Sequence, residues 1–203
     1  MKTRIPTIAI LLAMLWLAGC GKGPQVAPLG SNDVVLAFGD SLTFGTGATP
    51  AESYPAQLQS LIGRKVVNAG VPGEISGDGL RRLPEVLDEV QPTLLILCHG
   101  GNDFLRKLGE AAAAENVRAM IRLAKQKGIG VVLIATPKPG LSLTPPDFYA
   151  EIAKEFRIPY EGDVLGKILR DGSLKADQVH PNAQGYRLMA ERVYALLKKA
   201  GAV

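Results

Sequence analysis

Beyond about residue 33 the chain alternates short apolar runs with longer stretches in which apolar residues recur every three or four positions. The short runs are Val34 to Phe38, Lys65 to Asn68, Leu94 to Cys98, Val131 to Ala135 and a weaker one at Ile158 to Tyr160. Their length and largely unbroken apolar character predict strands covered on both faces. The longer stretches, Tyr54 to Ile62, Leu80 to Val90, Ala111 to Lys127, Asp147 to Phe156 and about Asn182 to Lys199, predict helices. Val117, Met120, Ile121 and Ala124 share one face of the third, and Tyr186, Met189, Ala190, Val193 and Leu197 share one face of the last. Pro84 predicts a break or a second start inside the second helix. No internal repeat or low-complexity tract interrupts the pattern.

Strands and helices in this alternation predict an α/β fold with a parallel sheet, a three-layer α/β/α sandwich built from right-handed crossovers. In such sheets the ligand crevice lies beyond the carboxyl ends of the strands. Three loops rich in small and polar residues fall there. Gly39-Asp40-Ser41-Leu42 follows the first strand, Asn68-Ala69-Gly70-Val71-Pro72-Gly73 the second, and Gly100-Gly101-Asn102-Asp103 the third.

A serine hydroxyl is a poor nucleophile unless a base takes its proton and a third group orients that base. The chain has only two histidines. Asp177 stands three residues before His180, close enough for its carboxylate to hold one ring nitrogen while the other faces Ser41. His99 closes an apolar run with only Asp103 nearby, and reads as a packed residue at a strand end. The amides of Ser41 and Gly73 and the side chain of Asn102 supply three donors for the oxyanion of an acyl-transfer intermediate. Asp40, adjacent to Ser41, reads as a partner of local amides rather than the catalytic acid. Asp103 reads as a pin for its own loop. Residues 137–140 and 74–79 are expected to line the substrate pocket.

Gly39-Asp40-Ser41-Leu42, the Asn-x-Gly-x-x-Gly loop, Gly-x-Asn-Asp and Asp177-x-x-His180 together resemble the four blocks of the SGNH, or GDSL, hydrolases, in the same order. The resemblance spans about residues 33 to 198 and is nearest to bacterial envelope arylesterases and periplasmic thioesterases with lysophospholipase activity. It implies a flavodoxin-like five-stranded sheet in the order 2-1-3-4-5, with no metal and no cofactor. By the same resemblance Ser41 is the nucleophile, His180 the base, Asp177 its orienter, and Ser41, Gly73 and Asn102 form the oxyanion hole. Ester hydrolysis through an acyl-enzyme follows, with aryl esters, lysophospholipids, thioesters and acetylated carbohydrates all open as substrates.

Two rivals come from other classes. The segment Thr43 to Thr49 could cradle the phosphate of a flavin, but the only Trp, Trp16, lies in the leader and the Asp177/His180 pair would have no task. A non-catalytic lipoprotein binding glycan or lipid would keep the fold without turnover.

Lys2 and Arg4 precede an apolar run from Ile8 to Leu17 that ends in small residues before Cys20. That is the layout of an export signal, shorter than the ~20 apolar residues a membrane span needs. Leu17-Ala18-Gly19-Cys20 resembles the lipobox of bacterial lipoproteins, which implies cleavage before Cys20 and its lipidation. Residues 21–32, rich in Gly and Pro, are expected to be a flexible tether, and residues 33–203 one hydrolase domain. The expected location is the bacterial cell envelope, lipid-anchored and facing the periplasm, at the inner or the outer membrane.

The formal charge of +4 changes the picture little, because Lys2 and Arg4 belong to the leader and the other basic residues alternate with acidic ones. Nucleic acid is therefore not an expected partner. With Cys20 carrying lipid, Cys98 cannot form an internal disulfide and reads as a small buried hydrophobe. The oligomeric state is open at this stage.

Overall fold

In a computed structural model, which describes residues 23–203, five strands form one sheet in the order β2-β1-β3-β4-β5. The expected export signal and the expected lipidation site, Cys20, lie outside the described residues. The strands are β1 (Val34–Gly39), β2 (Lys65–Gly70), β3 (Leu94–Cys98), β4 (Gly130–Ile134) and β5 (Tyr160–Glu161), every neighbouring pair parallel. The helices are α1 (Ser41–Phe44), α2 (Tyr54–Ile62), α3 (Ser76–Val90), α4 (Gly101–Leu105), α5 (Glu110–Gln126), α6 (Phe148–Phe156), α7 (Val164–Arg170) and α8 (Ala183–Lys199). The predicted α/β sandwich and its strand order are those observed.

The alternation of side chains along each strand divides the interior into two layers. Leu36, Phe38, Leu95, Leu97 and Leu133 face one side and pack against α3, α5 and α6. Val35, Ala37, Ile96, Val132 and Ile134 face the other and pack against α2, α7 and α8. Full burial of a side chain such as Leu36 or Phe38 is worth roughly 2–3 kcal/mol relative to exposure, so the sheet forms a rigid floor for whatever stands at its edge. Registration sets that edge: Gly39 pairs with Gly70 on one side and with Cys98 on the other, so β1, β2 and β3 end level.

Several boundaries differ from the pattern reading. The helix predicted over Leu80 to Val90 begins at Ser76 and runs through Pro84 without a break. A proline inside a helix removes one backbone bond and costs about 3 kcal/mol. Here Leu83 and Leu87, both buried on the sheet, hold the two sides of the helix in line. The short helices α1, α4 and α7 were not anticipated, because four to seven residues give too little periodicity to read. The expected tether is tied down from Val26 onward. Val26 N donates to Ala200 O at 3.2 Å, Leu29 N donates to Ala202 O at 2.8 Å, and the Leu29 side chain is buried. Two apolar residues in a Gly/Pro-rich run are enough to cover the end of α8. Cys98 is wholly buried, as a small hydrophobe would be.

Candidate active site

The end of β1 turns at once into α1 because Asp40 caps it, its Oδ1 accepting the Leu42 amide at 3.0 Å. Gly39 makes the turn possible: a Cβ there would lie 2.1 Å from the Cys98 carbonyl oxygen and 2.4 Å from Thr43 Oγ1. Ser41 is thereby placed at the first position of α1, above the carboxyl edge of the sheet, partly open to solvent.

His180 reaches the same point from the loop between α7 and α8. A bridge between Lys175 and Pro181 closes that loop, the Ala176 amide donates to His180 O at 2.9 Å, and Asn182 caps α8 through the Gly185 amide at 3.0 Å. His180 Nε2 lies 3.0 Å from Ser41 Oγ, and its Nδ1 lies 2.8 Å from Asp177 Oδ2. The other carboxylate oxygen of Asp177 accepts the amides of Val179 at 2.8 Å and His180 at 2.9 Å. Partial burial pushes the Asp177 carboxyl up, but the His180 ring and these two amides outweigh it and hold it below the ordinary carboxylate range. An ionised Asp177 fixes the imidazole with a hydrogen on Nδ1 and a free lone pair on Nε2, the form that accepts the serine proton.

Asn102, near the start of α4, and Gly73, at the end of the β2 loop, line with Ser41 a cleft of about 590 Å³. Asn102 Nδ2 is not a free donor in the resting protein. It donates to Asp40 Oδ2 at 3.1 Å and to Glu74 O at 3.0 Å, so both of its hydrogens are already in use. Burial pushes the Asp40 carboxyl up, against the pull of His99 and the Leu42 amide. The Asp40 carboxylate accepts one local amide, that of Leu42, as its adjacency to Ser41 predicts, and otherwise the side chain of Asn102 rather than a histidine ring. Leu105, Pro137, Pro139, Leu143, Leu169 and Val179 give the cleft its apolar walls, and among the described residues no Phe, Tyr or Trp lines it.

Only part of the expected pocket lining is observed. Pro137, Pro139 and Gly140 line the cleft, whereas Lys138 points away to Glu110 Oε1 at 2.7 Å. None of residues 74–79 lines it. Glu74 and Ser76 turn inward, because their polar atoms find partners behind the loop. Glu74 meets Arg82 and His99, and Ser76 donates to both oxygens of Asp103, through its amide at 2.8 Å and its hydroxyl at 2.6 Å. Asp103 therefore pins the neighbouring loop as well as belonging to its own. His99 is fully buried at the end of β3, as predicted, but its acid partner is Glu74 and not Asp103. The apolar wall residues Leu105, Leu143 and Leu169 escaped the sequence reading; an apolar side chain in a polar loop, as at Leu105 and Leu143, was the signal available.

A serine hydroxyl, an imidazole and a carboxylate linked in series beside amide donors and an apolar cleft define a site for acyl transfer. The profile of the GDSL-like Lipase/Acylhydrolase family matches residues 37–188. The chain belongs to that family and is a carboxylic ester hydrolase of the GDSL, or SGNH, type. It is 28% identical over 203 residues to Esterase TesA of Pseudomonas aeruginosa, covering 91% of this chain and 97% of the relative. It is 28% identical over 167 residues to Thioesterase 1/protease 1/lysophospholipase L1 of Escherichia coli, covering 78% and 80%. Among solved structures it resembles AlinE4, an SGNH-hydrolase family esterase, at 31% identity and a TM-score of 0.66, covering 86% of this chain and all of the other.

Proposed function

We propose that the protein hydrolyses acyl or aryl carboxylic esters, and thioesters of similar shape, through an acyl-enzyme on Ser41. The single observation that carries this reading is the chain of contacts Ser41–His180–Asp177 opening into an apolar cleft. His180 takes the Ser41 proton as Oγ attacks the carbonyl carbon, then returns it to the leaving alcohol or thiol. Water attacks the acyl-enzyme by the same route in reverse. The amides of Ser41 and Gly73 and the Asn102 side chain take the oxyanion, Asn102 by sharing the hydrogen that it gives to Asp40 at rest. That no Phe, Tyr or Trp among the described residues lines the cleft weighs against a site built to stack sugars. The names of the relatives, an esterase and a thioesterase with lysophospholipase activity, fit an acyl group as the recognised part.

The N-terminal motif supports a location as well. We propose export and lipidation at Cys20, which leaves five residues before the first backbone tie at Val26. Those five reach at most about 18 Å. Val26 also lies against Gly130, where β4 begins, so the chain enters at the amino edge of the sheet, opposite the cleft. A lipid on Cys20 would then hold the cleft facing away from the anchoring leaflet, toward esters that diffuse in the compartment. A Cys20→Ala chain moving from the membrane to the soluble fraction supports the anchor; an unchanged distribution overturns it.

The activity is tested by hydrolysis of p-nitrophenyl esters from acetyl to palmitoyl, beside Ser41→Ala and with titration by an alkyl phosphonate. Burst release, stoichiometric labelling and an inactive Ser41→Ala protein are expected. Turnover that survives in Ser41→Ala would overturn the mechanism. Binding of lipid or glycan with no turnover of any ester would favour the non-catalytic rival.

A further inference from the structure

We infer that Glu74 is a positioning residue for the oxyanion donors, acting through the loop that carries Gly73 and through the Asn102 side chain; the inference rests on the serine esterase reading above. Three N–H groups converge on its carboxylate: Arg82 Nε at 2.8 Å on Oε1, and Arg82 Nη2 at 2.6 Å and His99 Nε2 at 3.0 Å on Oε2. The direction of the His99 bond is fixed by its other nitrogen. Nδ1 accepts the Gly100 amide at 3.1 Å, so the ring hydrogen is on Nε2 and points at Glu74. Arg82 also donates to Ala69 O at 3.2 Å and lies 4.1 Å over the Phe38 ring, which bolts the carboxylate to the ends of β1 and β2.

The main chain of the same residue carries the other half of the device. The Glu74 carbonyl receives Asn102 Nδ2 at 3.0 Å, and the Gly73 amide is one residue away. A side chain locked by three N–H groups of two residues thus fixes two of the three oxyanion donors at once. The network has no slack: a Cβ at Gly79 would sit 2.3 Å from His99 Nε2 and 3.2 Å from Glu74 Oε2, so α3 presses directly on it. Glutamine cannot replace the carboxylate, since its one oxygen cannot meet donors on both sides and its NH2 would face another N–H. A displacement of about 1 Å in a positioned group can cost on the order of 100-fold in turnover.

The test is steady-state hydrolysis of p-nitrophenyl butyrate by the full chain and its Glu74→Gln, Asn102→Ala, double and Ser41→Ala variants, with thermal melts of each. Glu74→Gln is expected to lower kcat by roughly 10- to 100-fold with KM within about threefold, since the loss falls on donors that act in the transition state. In the Asn102→Ala background the same substitution is expected to cost less than in the parent, because one of the two donors that Glu74 positions is already gone. Partial recovery of kcat is expected in Glu74→Asp. Should Glu74→Gln not fold, His99→Leu keeps the Arg82 pair and is expected to lower kcat about three- to tenfold at unchanged KM. An unchanged kcat, a loss carried by KM, or full additivity with Asn102→Ala overturns the inference. If Ser41→Ala is inactive when this happens, the serine mechanism stands and only the role of Glu74 falls. Activity in Ser41→Ala overturns both.

Discussion

The molecule holds two pairs of imidazole and carboxylate with nearly the same contact distance, 2.8 Å for His180 and Asp177 and 3.0 Å for His99 and Glu74. They differ in what the second ring nitrogen does. His180 keeps Nε2 for Ser41 at the wall of an open cleft, whereas His99 spends Nδ1 on the Gly100 amide and has no exposed surface. The acids differ as well. Asp177 is half exposed and bonds the ring and two local amides, while Glu74 is buried and shared between a ring and a guanidinium. A histidine with an acid at hydrogen-bond distance is therefore not a catalytic pair by that fact alone. The imidazole must also have a nitrogen left over, pointed at something that can react.

The largest effect that can break this comparison is loss of His180. Replacing it, or Ser41, with Ala is expected to lower kcat by about 10⁴-fold or more, with little change in Tm because both sit at a partly open surface. His99→Leu should do the reverse, with kcat down no more than about tenfold. Its Tm should fall by several degrees, consistent with losing about 1–2 kcal/mol from a buried bond to a charged partner. Steady-state kinetics and melts of the three variants decide it. A collapse of turnover in His99→Leu with an unchanged melt would mean that the buried pair takes part in chemistry.

Asn102 stands between the two pairs, with one hydrogen on Asp40 and one on the Glu74 carbonyl. Asn102→Ala is expected to lower kcat roughly 10²- to 10³-fold, the usual cost of one oxyanion donor, while KM moves little. A wild-type kcat would leave the Ser41 and Gly73 amides as the whole oxyanion site. A tenfold loss or less would mean that the hydrogen shared with Asp40 is released only in part.

Asp177 and His180 could be found from the sequence because their pairing is local: three residues and one turn suffice, whatever the rest of the fold does. Ser41, Gly73 and Asn102 could be found because a parallel sheet brings every loop after a strand to one edge, and the strands were plain from their apolar runs. The buried pair follows a different logic. Glu74 and His99 stand 25 residues apart, on a loop and a strand end, and only the level registration of β1, β2 and β3 makes them meet. Nothing in the spacing of Glu74 and Arg82 distinguishes them from solvated charges, and His99 reads as a packed residue without showing its partner. Pro84 misled for a related reason, since its local cost is set against packing by Leu83 and Leu87 that the helix pattern alone does not weigh. The segment at Val26 and Leu29 likewise looks free until the end of α8 is there to receive it.

The smallest expected effect sharpens the comparison through pH. Burial pushes the Glu74 carboxyl up, but the bonds from His99 and Arg82 prevail and bring it from an ordinary 4.5 down to about 2. A carboxyl held low when folded adds its full stability only while the unfolded chain is also ionised. The contribution is complete above about 4.5 and disappears as the pH falls through about 2. Glu74→Gln removes the charged partner and is expected to cost about 2 kcal/mol at pH 7, the scale of a hydrogen bond to a charged group. That gap should narrow below pH 4.5, where the unfolded parent takes up a proton that the folded parent does not. Asp177 is also held low, but being half exposed it gives a much weaker version of the same trend. Urea titrations of parent, Glu74→Gln and Asp177→Asn between pH 7 and pH 3 measure both. A Glu74→Gln deficit that is constant across this range would mean that the residue contributes packing rather than charge, and the buried pair would then be an ordinary piece of core.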